Sequence, residues 1–258
     1  MILLLNSLST AEIVHTEDPT SLDSERVRLQ TRRVGFTILR GLIDPAEVNR
    51  SCRRLRDHFD QELDQPPTGH AASAVRRNFQ KLTVGGESGE TGRDDARFFR
   101  TFYNPIWDED TWGLRSSFVT LARTRNRIAG LPEDYAVDRI ESDGLWTAAR
   151  VHQYPRGGGF FRRHTDHLTS GIASSHEVRY VQVLLVMSQK GRDFYEGGAF
   201  VEIRGERVVI DDVTQPGDVV VYDGRTVHGV EDIDPSTHLD LTTINGRLAA
   251  FVTLFESR

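Results

Sequence analysis

From residue 145 onward, short runs rich in β-branched, aromatic and aliphatic residues alternate with turn signals, and this rhythm narrows the fold more than any other feature. The runs are "LWTAARVHQY" (145–154), "FFRRHTD" (160–166), "VRYVQVLLVM" (178–187), "AFVEIRGERVVI" (199–210), "DVVVYDG" (218–224) and "RLAAFVTLF" (247–255). Between and within them lie "PRGGG", "YEGG", "RGE", "QPGD" and "DPSTH", which carry the residues that turn or end a strand. Several short strands at this spacing predict an antiparallel sandwich or barrel.

The first half reads differently. "DSERVRLQTRR" (23–33) predicts a helix and "VGFTILRGL" (34–42) a strand. Asp44 followed by Pro45 is a helix start, an N-cap residue with proline at the first helical position. That helix should run to about Phe59, since Val48, Cys52, Leu55 and Phe59 recur on one face. Arg50, Arg53, Arg54 and Arg56 then form its wet face. "WGLRSSFVTLARTRNRIAGL" (112–131) predicts a second strong helix ending at a glycine. Residues 62–97 are polar, contain Pro66 and Pro67 and include "GGESGETGRDD"; they predict a flexible surface loop, a lid or a plain disordered segment. The expected organisation is a helix-rich part over 1–145 packing on a β core over 146–258, mainly β with flanking helices (α+β).

Composition excludes some classes. The 258 residues are 38% apolar and 27% charged, enough for a buried globular core. A net charge of −6 argues against a nucleic-acid partner. Cys52 is the single cysteine, so there is no intramolecular disulfide and no cysteine-based zinc site, as expected of a cytoplasmic protein. The opening "MILLLNS" is too short for a bilayer span and reads as a strand or packing segment, so no membrane partner is expected. A monomer or homodimer is anticipated.

The chemistry concentrates in "FFRRHTDHLTSG" (160–171). On a strand, positions i and i+2 share a face, so His164 and Asp166 can converge while His167 points away. Far downstream, "QPGDVVVYDGRTVHGV" joins a Pro-Gly-Asp turn and an apolar strand to His228. Two histidines and one carboxylate occupy one face of an octahedral metal and leave three positions open, the pattern of non-haem Fe(II) oxygenases. No ligand role is expected of His152, His167, His176 or His238, which read as surface or supporting groups.

Over roughly residues 148–255 the chain resembles the Fe(II)/2-oxoglutarate-dependent oxygenase superfamily, in particular its prolyl-hydroxylase-like branch. "HQYPRGGGFFRRHTD" resembles the family's strand, Gly turn and H-x-D element. "RYVQVLLVMSQKGRDFYEGGAFVEI" resembles its next strands with their Gly-Gly turn, and "NGRLAAFVTLF" its last strand. The resemblance implies a double-stranded β-helix (jelly-roll, cupin-like) core, with His164, Asp166 and His228 binding iron. It implies that Arg247 forms a bidentate salt bridge with the distal carboxylate of 2-oxoglutarate. Many members carry Ser or Thr two residues after that arginine; this chain has Ala249, and Tyr154 is the candidate for the second hydrogen bond. Related halogenases lack the carboxylate that Asp166 keeps, so halogenation is not expected.

The activity implied is a dioxygenase that consumes O2 and 2-oxoglutarate, releases succinate and CO2, and oxidises an unactivated C–H bond. Hydroxylation of a small molecule stands first, with desaturation or cyclisation open. An anionic substrate is expected to meet an arginine among Arg156, Arg162, Arg163 and Arg179, of which Arg179, opening a core strand, is the best placed. Three alternatives remain at this level: hydroxylation of a protein side chain such as proline, a non-catalytic cupin-like domain holding metal or ligand, and a hydrolytic zinc enzyme, for which no general-base glutamate stands out.

Overall fold

The computed structural model describes residues 13–65, 74–85 and 95–256. The "MILLLNS" segment and most of "GGESGETGRDD" lie outside the described residues. In chain order the first half contains β1 (Ile13–His15), α1 (Ser24–Val34), β2 (Phe36–Arg40), α2 (Pro45–His58), β3 (Asp64–Gln65), β4 (Phe79–Thr83), β5 (Ala96–Arg97), β6 (Phe99–Tyr103) and α3 (Arg115–Ala129). The second half contains β7 (Leu145–Tyr154), β8 (Gly159–His164), α4 (His167–Ser175), β9 (Gln182–Val186), β10 (Gly198–Ile203), β11 (Glu206–Val209), β12 (Val219–Tyr222), β13 (His228–Ile233) and β14 (Arg247–Glu256).

Helix ends follow local chemistry. The Asp23 carboxylate accepts from the Arg26 amide at 3.0 Å, and Gly35, at φ +84°, ends α1 in the left-handed conformation a Cβ disfavours. Asp44 caps α2 through the Ala46 amide at 2.9 Å, with Pro45 at its first position. Val48, Cys52 and Leu55 are the buried face of that helix, as its periodicity predicts. The α3 helix begins at Arg115 rather than Trp112, because Asp110 accepts from the Leu114 and Arg115 amides.

Two sheets face each other. The larger has the order β1-β2-β12-β9-β14-β7-β6-β4-β3 and the smaller β11-β10-β13-β8-β5. Among the described strands every pairing is antiparallel except β1 with β2 and β3 with β4. The longest ladder joins β7 and β14 from Arg247↔Tyr154 to Glu256↔Leu145. The apolar character of the central strands has a direct cause: both faces of the large sheet are covered. Val183, Leu185, Val219, Val221 and Val252 pack with Leu55, Phe118 and Leu121 of the helices. The alternate residues Leu184, Val186 and Val220 pack with Phe36, Ile38 and Val201 between the sheets. Each such side chain contributes about 1.5–3 kcal/mol on burial, so period two inside an all-apolar run divides the residues between two cores.

Besides the expected strand β2, the first half supplies β4 and β6 to the large sheet. The span 62–97 is not a structureless loop: its described residues include β3, β4 and β5. Strand β4 is polar because it lies near the sheet edge, with Gln80 bonded to Asp60 and Asp64 and Lys81 facing the space between the sheets. His228 opens a further strand, β13.

Candidate metal centre and cavity

Strand register assembles the centre. In the β8–β13 ladder His228 lies directly opposite His164, and their ring centroids are 4.3 Å apart. Asp166 lies at the strand's end, two residues past its last residue, at the N-cap position of α4. Its carboxylate makes no cap hydrogen bond. It turns back instead, placing Oδ1 3.4 Å from His164 Nε2 and 3.6 Å from His228 Nε2.

The tautomers follow from the partners. His164 Nδ1 donates to the Arg162 carbonyl at 2.8 Å, and His228 Nδ1 donates to the Thr226 carbonyl at 2.8 Å. A carbonyl only accepts, so each Nδ1 carries the proton and each Nε2 presents its lone pair. Three ligand atoms therefore lie within 4.8 Å of one another. Adjacent donors on an octahedral divalent ion stand about 3 Å apart, so a small inward movement completes a facial set. The donor types fit Fe(II) and suit zinc as well.

Asp166 is held from behind. Its Oδ2 accepts from the Tyr180 hydroxyl at 2.9 Å and from Gln182 Nε2 at 3.1 Å, and its backbone amide donates to the Gly224 carbonyl at 2.8 Å. Burial works to raise its pKa, but the two imidazoles and the Tyr180 hydroxyl outweigh it and hold the carboxyl well below its usual range. Gly224 is there for space: a Cβ would stand 2.3 Å from Asp166 Oδ2 and 2.5 Å from Tyr180 Cε1. His167 is exposed and hydrogen-bonds Thr165, away from the centre.

The ligand atoms open into a cavity of about 220 Å³ between the sheets. Its walls are largely apolar, including Leu184, Phe200, Val201 and Phe251. Arg247 and Tyr154, cross-strand partners, both line it. The carboxylate partner of Arg247 in this structure is Asp211, whose Oδ2 is 2.6 Å from Nε and Oδ1 3.3 Å from Nη2. Asp211 takes one edge of the guanidinium fork, and Nη1 has no hydrogen-bond partner among the described residues. Tyr154 is buried, stacks on Phe99 and lies under the Arg247 guanidinium; burial raises its hydroxyl pKa, keeping it a neutral donor.

Arg179 does not open a strand. It is exposed in the connection between α4 and β9 and lies outside the cavity wall. Arg156 and Arg163 are engaged by Asp234 and Glu202, and neither lines the cavity. Among the cavity residues that the sequence did not assign to the site are Lys81, Arg150 and His152. His152 is not a surface group; burial and the Arg150 charge push its pKa well below the usual imidazole range. The available signal was period two, because Arg150, His152 and Tyr154 share the inward face of β7.

No protein-family model matches the sequence, and no curated protein is similar to it. Solved structures are. A protein of Caulobacter crescentus assigned to the 2OG-Fe(II) oxygenase family superposes with a TM-score of 0.57 at 15% identity, over 95% of this chain and 87% of that one. A full-length Neurospora crassa protein in complex with alpha-KG gives 0.54 at 12% identity, over 94% and 84%. A Trichoplax adhaerens prolyl hydroxylase, in complex with a hypoxia inducible factor oxygen degradation domain peptide fragment, gives 0.53 at 13% identity, over 89% and 88%. The chain therefore shares the jelly-roll fold of Fe(II)/2-oxoglutarate oxygenases.

Proposed function

We propose that this chain is an Fe(II)- and 2-oxoglutarate-dependent dioxygenase that oxidises a C–H bond of a small molecule, with hydroxylation as its outcome. The observation that carries the reading is the convergence of His164 Nε2, His228 Nε2 and Asp166 Oδ1 at the wall of a cavity between the sheets, each imidazole set by a backbone carbonyl. The fold shared with such oxygenases supports it. A cavity of about 220 Å³ suits a compact organic substrate.

When bound with 2-oxoglutarate, Fe(II) would supply O2 activation coupled to decarboxylation to succinate and CO2. The protein binds, orients and excludes water. His164, Asp166 and His228 would hold the ion through three donor atoms at the cavity wall. Tyr180 and Gln182 hold the far oxygen of Asp166, so the carboxylate keeps one orientation. Asp211 neutralises and aims the buried Arg247, leaving Nη1 and the second Nη2 proton for the distal carboxylate of 2-oxoglutarate. Tyr154, beside it, supplies the donor that Ala249 lacks. Leu184, Val201 and Phe200 keep the reacting region dry.

The test is succinate formation in air with Fe(II), ascorbate and 2-oxoglutarate, with and without candidate substrates. The expected result is iron-dependent succinate that falls to background in Asp166→Ala. Succinate made equally by that variant, or without iron, would sink the reading. Tightly retained zinc with no response to 2-oxoglutarate would replace it with a structural or hydrolytic site.

A further inference from the structure

We propose that Arg150, Lys81 and His152 form a second anion-binding subsite in the same cavity, and that it receives a carboxylate of the substrate. The inference rests on the oxygenase reading for what it calls substrate, but the subsite itself is argued from geometry.

The large sheet sets these groups apart from the metal ligands. Arg150 and His152 project from β7; His152 pairs laterally with Thr101 of β6, which pairs with Lys81 of β4. Gln182, which holds Asp166, is on β9, two strands from β7 in the opposite direction. At about 4.8 Å per strand, the backbones that carry the cationic groups stand about 10–19 Å across the sheet from that of Gln182. A molecule whose acid group meets Arg150 has its carbon frame directed toward the metal ligands.

The groups are arranged for an anion. Two arginines line the cavity. Arg247 has Asp211, whereas Arg150 has no ion pair among the described residues. Its Nε donates to His152 Nε2 at 3.0 Å, which fixes the proton of the neutral imidazole on Nδ1. That Nδ1 is sealed from solvent and has no hydrogen-bond partner. An N–H in this condition costs free energy until an acceptor reaches it. The Arg150 guanidinium lies 5.6 Å from the Phe251 ring centre and 5.8 Å from that of Phe255, so an aromatic shelf adjoins the charge. Lys81 feels the concentration of positive charge: burial and Arg150 lower its pKa to about 8.

The same carboxylate chemistry could come from the co-substrate itself, so the experiment separates the two sources.

Protein loaded with Mn(II) and saturating 2-oxoglutarate is titrated with acetate, benzoate and phenylacetate, and with the three matching primary amides, by calorimetry or ligand-observed NMR. At least one acid should bind about tenfold or more tightly than its amide. Arg150→Gln should abolish that preference while the 2-oxoglutarate affinity moves by less than about threefold. Lys81→Met is read in the same way if Arg150→Gln does not fold by circular dichroism. The proposal is overturned if no acid is preferred over its amide. It is equally overturned if Arg150→Gln weakens 2-oxoglutarate as much as Arg247→Gln does, which would assign the subsite to the co-substrate. Should the wild-type protein bind no 2-oxoglutarate at all, the oxygenase reading fails; an acid-over-amide preference in metal-free protein, lost in Arg150→Gln, would still establish the subsite.

Discussion

At the scale of single residues, the centre depends on one position without a side chain. Gly224 follows β12 and lies against Asp166, and it is the absence of a Cβ there that lets the carboxylate take the orientation shared with Tyr180. In Gly224→Ala the added methyl overlaps Asp166 Oδ2 and the Tyr180 ring. Neither is the free end of a flexible surface chain, so the carboxylate must rotate away from the imidazoles. Metal affinity should fall about 10–100-fold, measured by Mn(II) calorimetry, with far-UV circular dichroism unchanged. Unaltered affinity would mean that the two groups relax without moving the ligand atom. The triad itself was legible because spacing and a Pro-Gly-Asp context marked it. Tyr180, Gln182 and Gly224 were not, since nothing local in the chain distinguishes a residue that holds a ligand from one that packs a strand.

At the scale of elements, the polar strands of the first half are tied into the large sheet by one arginine. Arg100 of β6 reaches Asp64 of β3 at 2.7 Å, Gln153 of β7 at 2.6 Å and the Leu241 carbonyl at 2.9 Å, beneath the Phe59 ring. Its side chain is fully buried. Removing one member of such a pair leaves the other charge uncompensated, so Arg100→Met should destabilise the fold by about 3–5 kcal/mol. The check is the urea midpoint. The double variant with Asp64→Asn should recover part of the loss, because it removes the stranded charge as well; a double variant less stable than Arg100→Met would contradict this. The same contacts explain why residues 62–97 look like loop in the sequence. Strands β3 and β4 are made by side-chain partners from distant segments, not by apolar periodicity of their own.

At the scale of the whole molecule, the helix layer and the large sheet enclose the chain's single thiol. Cys52 is 4% exposed, its Sγ donates to the Met187 carbonyl at 3.5 Å, and burial pushes its pKa up to about 11. A thiol that is both protonated and covered reacts only when the helix layer opens. Labelling with an aromatic disulfide at pH 8 should therefore be slow in the native protein and fast in urea, with a rate that follows the unfolding equilibrium. Rapid labelling of native protein would show that α2 separates from the sheet without global unfolding. Among the described residues no helix is long and apolar enough to cross a membrane.

The amino-acid sequence alone determined the helix over 23–33, the helix start at Asp44, the β-rich second half and the three metal-ligand candidates. These depend on local dihedral preference, period and spacing, which neighbouring residues carry. Only the tertiary structure decided that His228 stands opposite His164, that Arg247 spends one edge on Asp211, and that Arg150, His152 and Lys81 meet in a single cavity. Those facts depend on strand register and on which face of one sheet meets the other. Both emerge from burying many apolar side chains at once, and no short stretch of chain contains that information.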